Sequence, residues 1–376
     1  MRVYFDNAST TPIAIEVIDL MTEMMKSDYA NPSSVHHGGR KSKTIIENAR
    51  KIVASFLNTS PGNIFFTSGG TEADNMAIRC GILDNNISHA ITSSISHHAV
   101  LHPLENLKKD GLINLSYVQF DSNGCINLND LEDILQKKPK TFVSIMHANN
   151  EIGTIQPIKE IGDLCKKYDA VFHSDTVQTI AHYPFDMKSL NIDFITASAH
   201  KFHGPKGIGF IYINENITIK PLLYGGTQER NMRAGTENIH AIAGLAKAME
   251  LSYATMDEDM LYVKGLKKYM IDQLTKHIDG VMFYANCTDL DNNLFKVLSV
   301  SFPETPISEM LLFNLDIMGI SCSGGSACAS GTTKGSHVLT SILPDSKRPG
   351  VRFSFSRYNT IKEIDYTIQK LKEIFN

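Results

Sequence analysis

Residues 192–207 read IDFITASAHKFHGPKG, an apolar run that ends at a lysine set between two histidines and just before a glycine-proline turn. The run Ile192 to Ala197 reads as a buried strand, and Gly204, Pro205 and Gly207 break whatever follows it. Lys201 therefore falls at a strand end, in a turn. Held there among small and polar residues, a lysine can be desolvated and kept partly neutral, which is what an amine needs to form a Schiff base. The stretch by itself is equally compatible with an ordinary surface loop lysine.

Working outward, short apolar runs recur at Ile64–Thr67, Ala90–Thr92, Ile113–Phe120, Thr141–Met146, Ala170–His173, Ile192–Ala197 and Ile208–Ile213, with helical stretches between most of them at Thr71–Cys80, Ala99–Lys109, Asn129–Gln136 and Ile158–Tyr168. Seven strands separated mostly by helices predict an α/β fold with a mostly parallel seven-stranded sheet covered on both faces. Upstream lie a short strand at Val3–Phe5 and helices near 14–26 and 39–57. Beyond Ile213 the rhythm changes. A long helical pattern from about Ile239 to Ile278, broken near Thr255 to Asp257, leads into a smaller mixed region. That region has strands near Val281–Tyr284, Lys296–Phe302, Ile320–Ser321 and Val351–Phe355, and helices near Ser308–Asp316 and Ile361–Phe375. The expected division is a large domain over 15–257 and a smaller α+β domain from 1–14 and 258–376.

Composition excludes several classes of function. A chain of 376 residues with 42% hydrophobic and 20% charged residues is an ordinary globular protein. Its net charge of −4 and lack of a basic tract argue against nucleic acid or an anionic membrane as partner. No apolar run approaches the roughly 20 residues of a membrane span, and MRVYFDNAST has no signal-peptide core, so a cytoplasmic protein is expected. The six cysteines form neither a disulfide framework nor a zinc-site spacing, and no metal is expected.

In a sheet of this kind ligands bind at the carboxyl ends of the strands. The first such end, Thr67-Ser68-Gly69-Gly70-Thr71-Glu72, runs from a strand through two glycines into a helix. That arrangement suits a phosphate, because backbone N–H groups and the helix dipole face it, and it also suits a plain tight turn. Further ends are Ser94 to His98, His147 to Glu151 and His173 to Gln178. Asp175, directly after a buried strand, should face a cation or a hydrogen-bond donor, or else cap the next helix. His97, taken singly, reads first as a core histidine with its hydrogen bonds satisfied. In the smaller region, Cys328 lies in Ser321 to Gly331, a loop of serine, glycine and alanine that suits a mobile thiol or simply a flexible link. In Val351-Arg352-Phe353-Ser354-Phe355, strand alternation puts Arg352 on the face opposite the core, where it can anchor a carboxylate or stand solvated. A phosphate seat, an aromatic ring partner, an acid and a Schiff-base lysine are together the parts that hold pyridoxal phosphate.

SAHKFHGPKG, with Ser174 to Gln178, TSGGTEADN at 67–75 and GSACASG at 325–331, resembles the class V aminotransferase group of fold-type I enzymes, and within it cysteine desulfurases of the NifS/IscS type. The resemblance runs from Tyr4 to the last helix. It implies a pyridoxal 5'-phosphate enzyme in which Lys201 carries the cofactor, His97 stacks on its ring, Asp175 pairs with the ring nitrogen, and Gln178 and Asn150 lie near the ring oxygen. Gly70, Thr71, Ser198 and His200 would hold the phosphate, and Thr236 would reach the phosphate of a neighbouring subunit, which implies a homodimer. Arg352, with Asn150, would bind the substrate's carboxylate. Lys201 would move the α-proton of L-cysteine, Cys328 would take the sulfur as a persulfide, and His97 would serve the proton chemistry near the thiol. Cys322 and Lys206 receive no role. The persulfide would pass to an iron-sulfur scaffold or another sulfur-acceptor protein. In IscS-type enzymes a tail beyond the final helix helps dock the scaffold. This sequence reaches only Asn376, so docking a scaffold by that route is not expected, and a different scaffold or another sulfur-carrying protein stays open as the acceptor. A selenocysteine lyase or a class V aminotransferase is the alternative, and a thiol on a small-residue loop separates the desulfurase from the aminotransferase.

Overall fold

The computed structural model describes all residues except 139, 307–309, 325–334 and 376. The chain opens with strand β1 (Val3–Tyr4) and helices α1 (Ile15–Ser27) and α2 (His37–Phe56), then enters the main sheet at β2 (Ile64–Thr67). There follow α3 (Gly70–Asn75), a π-helical turn over Met76–Cys80, α4 (Gly81–Asp84), β3 (His89–Thr92), α5 (His98–Lys109), β4 (Asn114–Tyr117), α6 (Leu128–Lys137), β5 (Thr141–Ser144), α7 (Ile158–Lys167), β6 (Val171–Asp175), β7 (Phe194–Ser198) and β8 (Gly209–Ile213). The expected helix over 71–80 thus starts one residue early and continues, through the π-turn, to Asp84.

The seven strands form one sheet in the order β2-β8-β7-β6-β5-β3-β4. The pairs among β3 to β7 are parallel, whereas β8 is antiparallel to both β7 and β2. The reversal has a local cause: β7 and β8 are joined by the tight His200–Ile208 turn, too short for the crossover a parallel neighbour requires. β2, β3, β5, β7 and β8 are buried along their whole length, as expected of strands covered on both faces, and only β4, at the edge, is exposed. Fully buried Phe142, Phe172, Phe194 and Phe210 fill the layers beside the sheet, each contributing roughly 1.5–3 kcal/mol through its burial. The order in which strands are added reverses between β3 and β5, with β4 on one side of β3 and β5 on the other, and such a switch opens the crevice at which these sheets bind ligands. The carboxyl ends of β2, β3, β5, β6 and β7 lie along that same edge.

Beyond the sheet come α8 (Ile239–Ala254) and α9 (Met256–His277), broken at Thr255, whose Oγ1 donates to Asp259 Oδ2 at 2.7 Å in the first turn of α9. The remainder is β9 (Met282–Phe283), β10 (Val297–Ser301), α10 (Leu311–Ile317), β11 (Ile320–Ser321), α11 (His337–Ile342), β12 (Gly350–Ser354) and α12 (Ile361–Phe375). β12, β10 and β9 form an antiparallel sheet, and β1 pairs in parallel with β11. A second apolar core, including Phe5, Leu266, Met270, Phe302 and Phe353, lies between these strands and α9 and α12. The N-terminal strand thus belongs to this second core, and the residues just after it cross to the first. α11 went unread in the sequence because its six residues are too few to show a helical period.

Candidate functional site

A cavity of about 480 Å³ opens at the carboxyl edge of the main sheet. Its walls bring together Gly70, Thr71, His97, Asn150, Asp175, Gln178, Ser198, His200, Lys201 and Arg352. Those residues span 283 positions of sequence, and the strand ends collect them.

Lys201 closes a single 3-10 turn after β7, and its Nζ donates to the carbonyls of Ala8 and Ser9, 2.7 Å each. His182 Nε2 holds the Lys201 carbonyl at 3.1 Å, so the turn is pinned from behind. Asp175 ends β6. Its Oδ1 accepts the Val177 N–H at 3.0 Å, and the residue is 6% exposed. Burial first, and then the charge of Asp74, pushes the Asp175 carboxyl up to about 6. Asp74 is itself pushed to about 7 by burial; Thr196 Oγ1 donates to it at 2.7 Å and His173 Nε2 lies 3.3 Å away. Two buried carboxyls with one imidazole between them make this wall of the cavity favour a cation or an N–H donor.

His97 caps α5, its Nδ1 accepting from the Ala99 N–H at 3.1 Å, which puts the proton of the neutral ring on Nε2. Burial, with Lys201, His98 and His337 adding to it, holds His97 below its usual range, while Asp175 opposes the shift. Gln178 donates Nε2 to the Ala8 carbonyl at 2.9 Å, and its Oε1 is buried without a partner.

At the other end of the cavity Gly69 has φ 153°, a conformation that disfavours a side chain. A Cβ on Gly70 would lie 2.7 Å from Val177 Cγ2, so the helix start can approach β6 only as glycine. Ser198 stands beside this turn, and His200 Nδ1 lies 3.1 Å from Thr10 Oγ1. Burial, followed by Lys201 and Lys206, lowers His200 to about 4, leaving a neutral donor or acceptor.

Arg352 is 2% exposed and so is not the solvated strand arginine that alternation also allowed. Its guanidinium donates to Asp6 Oδ1 at 2.9 Å, Ser9 Oγ at 2.6 Å and the Asn150 carbonyl at 2.9 Å, while its buried Nε has no partner among the described residues. Ser323 Oγ donates to the same Asp6 oxygen at 2.6 Å.

Thr236 is exposed on the loop before α8 and does not line the cavity. Cys328 lies outside the described residues. Cys322 is half-buried against the second core, and burial, with Asp6 beside it, pushes its thiol well up, so it stays protonated. Sequence reasoning missed Asp6, Asp74 and Lys206, all of which touch or line the site. Only Asp74 left a signal, as an acid in the helix that follows the glycine turn. The Ala8 and Ser9 carbonyls, being backbone, left none.

The profile described as Aminotransferase class-V matches residues 3–367. The chain belongs to the class V aminotransferase family. Among its relatives in this family, a "Cysteine desulfurase IscS" of Dictyoglomus turgidum is 42% identical, over 99% of this chain and 94% of that protein. Another of the same description from Methanosarcina thermophila is 43% identical, over 99% and 91%. A solved structure described as "NIFS-LIKE PROTEIN" superposes with a TM-score of 0.91 at 36% identity, over 100% of this chain and 99% of that one, so the class V fold is shared throughout.

Proposed function

We propose that the protein is a cysteine desulfurase, which takes sulfur from L-cysteine with pyridoxal phosphate as cofactor and leaves alanine and a persulfide on Cys328. The observation that carries this reading is the meeting of Asp175 at the end of β6, Lys201 in the turn after β7 and Arg352 on β12 in the wall of one cavity of a class V chain.

The residues present fit the cofactor. The Asp175 carboxyl, pushed to about 6, is a partner for a protonated pyridine nitrogen, and Gln178 presents a buried oxygen that lacks a donor. The turn at Gly69 and Gly70, with Thr71, Ser198 and His200, is the phosphate seat, and His97 supplies the ring that stacks. When bound, pyridoxal phosphate supplies an electron sink for charge developing on the substrate's Cα.

The chain's own residues do the rest. Arg352, with Asn150 beside it, binds the substrate carboxylate in a paired contact and so sets the direction of the Cα–H bond. Its unpartnered Nε–H is available for that contact. Lys201 Nζ, once displaced from the cofactor, takes the α-proton. The Cys328 thiolate then attacks the substrate sulfur. An S–S bond forms as the C–S bond breaks, the electron pair goes to the substrate's Cβ, and protonation of Cβ together with return of a proton from Lys201 to Cα completes alanine. No outside oxidant or reductant is needed. His97, neutral with its proton on Nε2, is the group that gives or takes the thiol's proton.

The division into 15–257 and 1–14 with 258–376 rests on the two separate apolar cores. Thr236, exposed, is read as reaching the phosphate of the second subunit of a homodimer. An iron-sulfur scaffold or another sulfur carrier would accept the persulfide.

The test is to supply L-cysteine and a reductant to the protein loaded with pyridoxal phosphate, and to measure sulfide and alanine. Wild type should release both in equal amounts, and Cys328→Ala should lose sulfide release while keeping the cofactor's visible absorbance. Sulfide from Cys328→Ala at the wild-type rate would refute the persulfide step; no visible band in wild type would refute the cofactor.

A further inference from the structure

A second, small cavity of about 30 Å³ is walled by Lys201, His182 and His203 on one side and by Lys296, Asp259 and Arg357 on the other. Lys296 is 3% exposed, and its Nζ has no hydrogen-bond partner among the described residues. Arg357 donates from one terminal nitrogen to Thr255 Oγ1 and Asp259 Oδ2, 2.9 Å each, but its Nε is likewise buried without a partner. Asp259 is the one carboxylate among the lining residues, and that oxygen already accepts from both Arg357 and Thr255.

A buried cationic donor with no acceptor is costly. Here two such donors face one space, and the space holds a single ion or water. The surroundings give Lys296 no relief: after burial, the groups acting on it are Lys201 and Arg352, both cationic, and they press its ammonium well below the usual range. His182 and His203 add no negative charge. Both are held below the usual imidazole range by burial, and each has one ring nitrogen engaged with a backbone carbonyl, Lys201 and Pro12 respectively. Among the charged side chains lining this space, Lys201, Lys296 and Arg357 thus outnumber the single carboxylate of Asp259.

We propose that this cavity binds one small monovalent anion of chloride size, held between the Lys296 ammonium and the Arg357 Nε–H. A bound anion gives both donors an acceptor and lets Lys296 keep its proton, whereas a water would leave the excess positive charge uncompensated. The two donors, Lys296 and Arg357, have no role in the desulfurase reading, and the probe is read without substrate turnover, so the test stands apart from that reading.

The probe is bromide. Crystals of the full-length protein soaked in sodium bromide should give an anomalous peak in the cavity, within hydrogen-bond reach of both donors, and crystals of Lys296→Met should not. In solution, the Tm of wild type should rise saturably with sodium chloride relative to sodium gluconate at equal ionic strength, and that of Lys296→Met should not. An ordered water without anomalous signal, or a peak that persists in Lys296→Met, would overturn the assignment. A peak without the chloride-dependent Tm would mean binding at crystal concentration only, and would overturn it as well. If Lys296→Met does not fold, the wild-type arms decide the matter alone.

Discussion

Replacing Asp175 by its amide should stabilise the protein stripped of cofactor and weaken its hold on the cofactor. The Asp175 carboxyl stands at about 6 in the folded chain against an ordinary 3.8, mostly through burial and next through Asp74. A rise of that size corresponds to about 3 kcal/mol disfavouring the charged form when folded. Below pH 3.8 the group is neutral in both states and costs nothing. Between 3.8 and 6 the folded chain holds the proton that the unfolded chain has lost, so stability falls as pH rises. Above 6 the full cost is present. Asp175→Asn removes that cost and leaves the Val177 N–H its acceptor. Urea unfolding should therefore find the variant more stable than wild type by up to about 3 kcal/mol at pH 8, with the gap closing towards pH 4. With pyridoxal phosphate bound the gap should shrink towards zero. A charge-assisted hydrogen bond worth about 1.5–3 kcal/mol is lost, and equilibrium dialysis should show affinity falling roughly 10- to 150-fold. A variant less stable than wild type at pH 8, or a gap independent of pH, would refute the claim that an uncompensated carboxylate is held ready for a cation.

Arg352→Lys keeps the charge but loses the planar fork, so KM for L-cysteine should rise roughly 10-fold or more, with a smaller fall in kcat. An unchanged KM in steady-state sulfide release would show that the substrate carboxylate lies elsewhere. Gly70→Ala places a methyl 2.7 Å from Val177 Cγ2. It should cost about 1–3 kcal/mol in strain and lower affinity for pyridoxal phosphate, with the fold retained by circular dichroism; unchanged affinity would move the phosphate away from this turn. Lys201→Ala should abolish the visible band formed with pyridoxal phosphate, and a wild-type spectrum would dismiss Lys201 as the attachment point.

The sheet was legible because its strands are short apolar runs punctuated by glycine, proline and polar turns, and all seven runs were assigned before their order was known. What local pattern could not specify was direction. The antiparallel β8 follows from the length of the His200–Ile208 turn together with the pairing of Gly209 with Ser198, which is a relation between two strands. The site divides in the same way. Lys201, Asp175 and His97 stand at strand ends, where sequence alone directs attention. Asp6, the Ala8 and Ser9 carbonyls and Asp74 act through partners far away in the chain: Asp6 meets Arg352 across 346 positions, and Ala8 meets Lys201 across 193. Their importance comes from enclosure. Arg352 shows how enclosure changes a residue's meaning, since alternation placed it correctly opposite Val351 and Phe353 but could not tell a solvated face from a closed one. The N-terminal segment makes the difference. By running from β1 in the second core across to Lys201 in the first, residues 6–10 put a carboxylate, a hydroxyl and two carbonyls over the cavity. These five residues thereby tie Lys201 and Arg352 into one site, so the spacing between the two side chains depends on a segment that has no proposed catalytic group of its own.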